Sequence, residues 1–192
     1  MRVIAGRLRG SVIRVPAGGA VRPTYDRVRE SVFSIIEPHL DGASVLDLFA
    51  GSGSLGIESL SRGATFATFV EKDRRVLDVI RENVERLGLA EQCRLIRGDA
   101  PAALERGVPG GPFDIVFVDP PYSSGLAART LELLASSPVL AAEALVVVER
   151  ASTDTPQERA GRLGLFRSGK YGSTAVDFYG TRAKGAGREE ET

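Results

Sequence analysis

Val45–Gly56, with the sequence V-L-D-L-F-A-G-S-G-S-L-G, is the segment around which this 192-residue chain is built. An apolar run that contains one acid, Asp47, leads into four small residues that can turn sharply, and a predicted helix begins near Ser54. A strand, a glycine turn and a helix in this order let a nucleotide-like ligand approach bare backbone at a helix N-terminus. The segment therefore predicts a ligand site at the end of the first strand.

Apolar runs and helical patterns alternate through the rest of the chain. The predicted strands are Ser44–Phe49, Thr65–Val70, Cys93–Arg97, Asp114–Val118 and Ala144–Glu149, followed by an antiparallel hairpin of Leu163–Lys170 and Thr174–Tyr179. The predicted helices are Tyr25–Glu37, Leu55–Ser61, Arg74–Leu87, a short helix from Pro101, and Leu126–Ala135. Strands joined by helices predict an α/β fold with a parallel sheet and right-handed crossovers. Two continuous apolar runs, Ile115–Val118 and Leu145–Val148, predict central strands buried on both faces.

The first 30 residues are basic, although the whole chain, with 25 basic and 25 acidic residues, has no net charge. This region holds Asp26, Glu30 and seven arginines, which are Arg2, Arg7, Arg9, Arg14, Arg22, Arg27 and Arg29. Guanidinium groups suit phosphate oxygens, so we expect residues 1–16 to form a basic hairpin that binds phosphates. The alternative is an edge hairpin whose arginines keep it soluble. Arg27 and Arg29 lie off the apolar stripe of the predicted helix, where they could be plain solvated charges.

A single cysteine, Cys93, and a single histidine, His39, exclude a disulfide framework, a zinc cluster of several thiols and most histidine-based metal sites. No apolar region follows the basic N-terminus as in a signal peptide, and no apolar run approaches the roughly 20 residues that span a bilayer. We expect a soluble cytoplasmic protein with a basic arm at residues 1–23, an α/β domain at residues 24–181 and a flexible tail at residues 182–192.

Gly51-x-Gly53-x-x-Gly56 matches the dinucleotide-binding fingerprint, and Glu71 follows the next predicted strand, where a ribose-binding acid is expected. The motif alone supports NAD, FAD or S-adenosylmethionine as a ligand. Glycine-rich turns between a strand and a helix also occur for packing alone, which is the alternative interpretation.

Three acids favour S-adenosylmethionine over the other two ligands. Asp47 precedes the first glycine by four residues, where a carboxylate would repel a pyrophosphate and attract the ammonium group of a methionine moiety. Asp99 ends the third strand, where it can accept a hydrogen bond from an adenine amino group, and Asp119 ends the fourth. Together with Glu71 they fall at the ligand edge of a parallel sheet, although each alone could be a solvated carboxylate at a strand end.

The segment Asp119-Pro120-Pro121-Tyr122 indicates a site for an exocyclic amine. Two successive prolines give a rigid turn, so the Asp119 carboxylate and the Pro120 carbonyl can both accept from one NH₂ group. Tyr122 supplies a ring that can stack on a base. Two acceptors that hold and polarise the amine make its lone pair more available to a methyl group. The alternative is a turn that merely ends a strand, with a half-buried tyrosine.

Four motifs in this order, L-D-L-F-A-G-S-G-S-L-G, V-E-K-D, R-G-D-A and D-P-P-Y, resemble a class I methyltransferase acting on an exocyclic amine of a nucleic acid. The N-terminal segments R-V-I-A-G-R-L-R-G and R-P-T-Y-D-R-V-R-E-S-V-F narrow the resemblance. From residue 2 to about residue 180, the chain resembles the bacterial RsmD-type family of 16S ribosomal RNA guanine-N2 methyltransferases.

This resemblance implies a Rossmann-like seven-stranded, mostly parallel sheet with an antiparallel last hairpin and helices on both faces. It implies methyl transfer from S-adenosylmethionine, without a metal, to a guanine N2 of 16S rRNA in the small subunit or its assembly intermediate, by a monomer. The implied cofactor-binding residues are Asp47, Phe49, Gly51, Ser52, Gly53, Glu71, Lys72, Asp99 and Ala100. The implied catalytic residues are Asp119, Pro120, Pro121 and Tyr122. The implied RNA-binding residues are Arg2, Arg7, Arg9, Arg14, Arg22 and Arg27.

Three other functions stay open from the sequence. The Asp-Pro-Pro-Tyr motif is shared with adenine-N6 and cytosine-N4 methyltransferases. An NAD(P)-dependent oxidoreductase could use the same glycine turn, although the chain lacks an obvious proton relay such as a Tyr-x-x-x-Lys pair near the site. A ribosome-binding protein with a vestigial fold is the third.

Overall fold

The computed structural model describes residues 1–16, 23–121 and 125–181. Its strands are β1 (Ser44–Asp47), β2 (Phe66–Glu71), β3 (Cys93–Arg97), β4 (Phe113–Val118), β5 (Leu140–Ala151), β6 (Arg159–Ala160), β7 (Leu163–Tyr171) and β8 (Thr174–Gly180). Its α-helices are α1 (Pro23–Ile36), α2 (Ser54–Ser61), α3 (Arg74–Arg86), α4 (Ala100–Arg106) and α5 (Leu126–Ser136). Three sequence-based predictions lie outside the described residues. They are the RNA contact of Arg22, the stacking ring of Tyr122 and the flexible tail at residues 182–192.

All of the strands belong to one sheet in the order β3-β2-β1-β4-β5-β8-β7-β6. Strands β1 to β5 run parallel to one another, whereas β8 pairs antiparallel with both β5 and β7. The expected Rossmann-like fold with a reversed last hairpin is therefore confirmed. The expected seven strands are one too few, because β6 adds a two-residue pairing with β7. A strand of two residues is too short to show a periodic pattern in the sequence.

Apolar side chains fill both faces of the sheet. On one face, Phe33 from α1 and Ile80 from α3 pack with Phe69 and Phe117 from the strands. On the other face, Leu131 and other residues of α4 and α5 pack against the opposite side of the same strands. Every residue of the predicted central runs 115–118 and 145–148 is buried, as expected. In the described part of the chain, no helix has both the length and the apolar character that crossing a membrane requires.

The N-terminal arm, residues 1–16, is held against the helices of the first face. It pairs as an antiparallel hairpin, with a bridge between Arg2 and Val12 and a hydrogen bond from the Val3 N–H to the Ser11 carbonyl at 3.0 Å. The carboxylate of Glu58 on α2 is fully buried, and it accepts the backbone N–H groups of Ile4 and Ala5 at 2.8 and 2.9 Å. These hydrogen bonds attach the arm to α2.

Arg29 corrects an expectation from the sequence, because it is only 2% exposed rather than solvated. Its guanidinium donates to the backbone carbonyl of Arg2 at 2.6 Å and to the Asp26 carboxylate at 3.1 Å. The N-terminal arm covers the helix face on which Arg29 lies, so a position off the apolar stripe of the helix is buried by tertiary packing.

Candidate active site

The strand register brings acids from neighbouring strands to one face and one edge of the sheet. Asp47 at the end of β1 is in register with Phe69 on β2 and with Phe117 on β4. Because side chains alternate along a strand, residues two positions beyond those partners project to the same face as Asp47. Those residues are Glu71 and Asp119, so the acids predicted on the first, second and fourth strands lie on the same side of the sheet.

A cavity of about 510 Å³ opens at this edge. Its walls include eight of the predicted site residues, which are Phe49, Glu71, Lys72, Asp99, Ala100, Asp119, Pro120 and Pro121. Asp47, Gly51, Ser52 and Gly53 are not part of its walls, and Tyr122 lies outside the described residues. The structure thus brings the ends of β2, β3 and β4 together around one space large enough for a small-molecule ligand.

The glycine turn is built from backbone conformations that need glycine. Gly51 and Gly53 have φ angles of +52° and +77°, which residues with a Cβ rarely adopt. The Gly51 N–H donates to a carboxylate oxygen of Glu71 at 3.1 Å, so the turn is tied to the end of β2. At Gly56 a Cβ would lie 2.3 Å from the ring of Phe69, so this glycine allows α2 to pack closely on the sheet.

Asp47 carries a buried carboxylate with an unsatisfied oxygen. Desolvation raises its pKa to about 7, and the charge of Glu71 adds to the rise, while the backbone N–H groups of Gly56 and Phe49 oppose it. Among the residues that the structure describes, none is a hydrogen-bond partner of its Oδ1. A buried acceptor without a partner is costly, and a positively charged group would satisfy it. The residue therefore fits the ammonium group of a methionine moiety.

Asp119 is half-buried at the cavity wall, between two other acids. Desolvation raises its pKa well above the usual range, and the negative charges of Glu149 and Asp47 raise it further. Carboxylates held near one another favour a ligand that presents hydrogen-bond donors or positive charge, because such a ligand offsets their repulsion.

Glu71 and Asp99 already have structural contacts. Glu71 accepts from the N–H of Asp73 at 2.9 Å as well as from Gly51. Asp99 is the N-cap of α4 and accepts the Ala102 N–H at 3.4 Å. A carboxylate can accept several hydrogen bonds, so these contacts orient both acids at the cavity wall without excluding a ligand.

The sequence-based prediction missed the other residues of the cavity wall. These are Val28, Leu48, Val70, Gly98, Leu126, Glu149, Ser173 and Thr174. Glu149 had a detectable signal, because it directly follows the apolar run Leu145–Val148 just as Asp119 follows Ile115–Val118. No sequence signal marked Ser173 and Thr174, since they reach the site only through the antiparallel pairing of Thr174 with Ala151.

The predicted RNA-binding arginines that the structure describes lie on the surface, but several contact the protein itself. Arg2 donates to the carbonyl of Gly10, Arg7 donates to the carbonyl of Leu60, and Arg14 pairs with Glu82 at 2.9 Å. Within the described residues, the side chains of Arg9 and Arg27 make no such contact, and both are exposed. In the residues described, no three or more His, Cys, Asp or Glu side chains are arranged to hold a metal ion.

Known proteins resemble this chain along most of its length. A family model described as "Conserved hypothetical protein 95" matches residues 1–180. Ribosomal RNA small subunit methyltransferase D of Escherichia coli strain K12 is 39% identical over 185 residues, which cover 96% of this chain and 92% of the relative.

Solved structures share the fold. The Escherichia coli protein yhhF, described as a methyltransferase, has a TM-score of 0.82 at 39% identity and covers 94% of this chain and 97% of its own. The T. thermophilus 16S rRNA N2 methyltransferase RsmC, in complex with AdoMet and guanosine, has a TM-score of 0.69 at 23% identity, over 91% of this chain and 46% of its own. This second likeness is one of fold alone.

Proposed function

Since this chain belongs to the RsmD-type family of ribosomal RNA methyltransferases, which use S-adenosylmethionine, we propose that it methylates the exocyclic N2 of a guanine in 16S rRNA. The single observation that carries the proposal is the cavity whose wall combines Glu71, Asp99 and the Asp119-Pro120-Pro121 turn. This arrangement provides acceptors for a cofactor and for an amine at one edge of the sheet.

The cofactor fits the residues at this edge. S-adenosylmethionine, when bound, supplies the methyl group and carries an ammonium group and a sulfonium group. The unpartnered Oδ1 of Asp47 suits the ammonium group, and the backbone of Gly51, Ser52 and Gly53 turns beside it. At the cavity wall, Glu71 and Lys72 suit the ribose, and Phe49, Asp99 and Ala100 suit the adenine. These nine residues are the cofactor-binding residues that the sequence analysis predicts.

Asp119 and Pro120 act on the target amine. The guanine leaves its stack and enters the cavity, as bases do in enzymes that modify them. The Asp119 carboxylate and the Pro120 carbonyl accept the two N2–H groups, which fixes the nitrogen and turns its lone pair toward the methyl donor. The reaction depends mainly on this positioning. The proton that N2 loses as the methyl group is added passes to the Asp119 carboxylate, whose affinity for a proton is increased because desolvation raises its pKa. Tyr122 would stack on the base.

RNA outside the target base is contacted by the basic N-terminal region. Arg9 and Arg27 are exposed and support this assignment best, together with Arg2, Arg7 and Arg14, and with Arg22 outside the described residues. We assign residues 1–23 to an RNA-binding arm, residues 24–181 to the catalytic domain and residues 182–192 to a tail. The substrate is the cytoplasmic small ribosomal subunit or its assembly intermediate, and the enzyme acts as a monomer.

Mapping of modified nucleotides tests the function. We expect one guanine of 16S rRNA to lose its N2-methyl group in a strain without the gene, as measured by primer extension and mass spectrometry. The purified protein with S-adenosylmethionine should restore that methyl group. A methyl group lost from an adenine N6 or a cytosine N4 would instead assign the chain to another class of amino-methyltransferase, and an unchanged methylation pattern would contradict the proposal.

A thermal shift assay tests the cofactor separately. S-adenosylhomocysteine should raise the Tm, because a ligand that binds only the folded state stabilises it. NAD should not, since the buried carboxylate of Asp47 near the glycine turn disfavours a pyrophosphate. A shift with NAD alone would favour the oxidoreductase alternative.

A further inference from the structure

Glu149 stands beside Asp119 on the neighbouring strand. Val118 and Val148, which precede these two acids, are in register between β4 and β5. Because the strands are parallel, Asp119 and Glu149 continue this pairing and project to the same face. Both line the same cavity, and the charge of Glu149 is among the causes that raise the pKa of Asp119. The wall that faces a target amine therefore carries two carboxylates side by side.

Guanine presents two adjacent donors on the edge that is methylated, the N2 amine and the ring N1–H. Adenine places an acceptor, N1, beside its N6 amine, and cytosine places an acceptor, N3, beside its N4 amine. Enzymes that extrude a base read it by hydrogen bonds to this edge. A pair of carboxylates therefore complements guanine, whereas with the other two bases the second carboxylate would face a lone pair.

We propose that Glu149 is a specificity-determining residue that accepts the N1–H of the target guanine while Asp119 and Pro120 hold N2. This inference rests on the proposed function and adds the reason why the amine acceptor Asp119 acts on guanine. A carboxylate that faces a ring nitrogen without a proton loses its hydrogen bond and repels the lone pair. A site built to bond a substrate N–H rejects an analogue without it strongly, by about 100-fold or more.

The test uses 2-aminopurine at the mapped target position of the small-subunit RNA substrate. This base keeps the N2 amine but has a lone pair instead of N1–H. Single-turnover rates are measured for guanine and for 2-aminopurine. The wild-type enzyme should prefer guanine by about 100-fold or more. In Glu149→Gln, the side-chain amide can accept from guanine N1–H and can also donate to N1 of 2-aminopurine. The preference should therefore fall by at least about tenfold.

Two controls accompany this measurement. Glu132→Gln changes an exposed glutamate on α5 in the same way and should leave the preference unchanged. The loss of O6 in 2-aminopurine affects wild type and variant alike, so it cancels when their preferences are compared. A Tm increase with S-adenosylhomocysteine shows that the Glu149→Gln variant is folded and binds the cofactor.

The outcomes separate this inference from the function. If the wild type methylates guanine N2 but the Glu149→Gln variant keeps the full preference, the role of Glu149 is wrong and the function stands. A wild-type enzyme without any preference also overturns the role, even if the variant fails to fold. If the wild type methylates no guanine at N2, the proposed function itself fails and the inference falls with it.

Discussion

Asn83 on α3 and Arg14 in the N-terminal arm exchange two hydrogen bonds. The Arg14 N–H donates to the side-chain oxygen of Asn83 at 2.9 Å, and the Asn83 amide donates to the Arg14 carbonyl at 2.8 Å. The same amide also contacts the carbonyl of Ser52 at 3.3 Å. One fully buried side chain therefore connects the arm to the glycine turn of the proposed cofactor site.

We expect Asn83→Leu to destabilise the fold by about 2 kcal/mol, because partly buried backbone groups of Arg14 and Ser52 lose their hydrogen bonds to this side chain. Urea unfolding measures the change. Glu82→Ala on the same helix is the matched control, since it removes only the exposed ion pair with Arg14 and should cost less than about 1 kcal/mol. Equal losses for both variants would contradict a special role for Asn83.

Asp119→Ala should lower the rate of methyl transfer by about 100-fold or more, because the amine loses its acceptor. The affinity for S-adenosylhomocysteine, measured by calorimetry, should stay nearly unchanged. Asp114→Ala, at the other end of the same strand, serves as the control and should keep normal activity. If Asp119→Ala abolished cofactor binding instead, its proposed contact with the amine would be wrong.

The affinity for S-adenosylmethionine should increase with pH through the titration of Asp47. Its pKa is raised to about 7, and the ammonium group of the cofactor requires the ionised form. A pKa of about 7 gives roughly tenfold tighter binding at pH 8 than at pH 6, with release of a proton on binding. Calorimetry in two buffers with different ionisation enthalpies measures both effects. In Asp47→Asn the pH dependence should disappear and binding should be weak.

The stability of the ligand-free protein should change with pH in the opposite direction. The pKa of Asp47 rises from 3.8 to about 7 on folding, so between these values the folded state binds more protons than the unfolded state. The contribution of Asp47 therefore makes the free energy of unfolding fall as the pH rises from about 4 to about 7. We expect Asp47→Asn to remove this decrease and to stabilise the ligand-free protein at pH 7. A loss of stability at pH 7 in denaturant titrations would contradict the assignment.

Arg9→Gln combined with Arg27→Gln should weaken RNA binding and reduce its dependence on salt. Each phosphate contact that is lost lowers the slope of log K against log salt by about 1. Substitution is preferable to deletion of the arm, since deletion would expose the buried carboxylate of Glu58. Arg81→Gln on α3, where the arginine pairs with Asp78, is the control. An unchanged slope would leave the arm with a structural role only.

Much of the fold and part of the site could be predicted from local patterns. The acids Glu71, Asp99 and Asp119 follow apolar runs, and in a parallel sheet such positions meet at one edge. The cavity wall contains all three. Glu149 also follows an apolar run, Leu145–Val148, but no glycine or proline beside it indicates a turn at the end of a strand. The burial of Arg29 could not be predicted from the pattern of its own helix. The N-terminal arm that covers Arg29 is a separate segment of the chain, and the helix pattern does not show where that segment packs.

The sequence by itself determined the alternation of strands and helices, the glycine turn and the order of the acids along the chain, because periodicity and backbone freedom depend on neighbouring residues. Only the tertiary structure decided which side chains meet. The register of Val118 with Val148 places Glu149 beside Asp119, and the packing around Asp47 leaves its Oδ1 buried without a partner in the described part of the chain. Register, burial and hydrogen bonding all depend on residues that are far apart in the chain, so no local pattern encodes them.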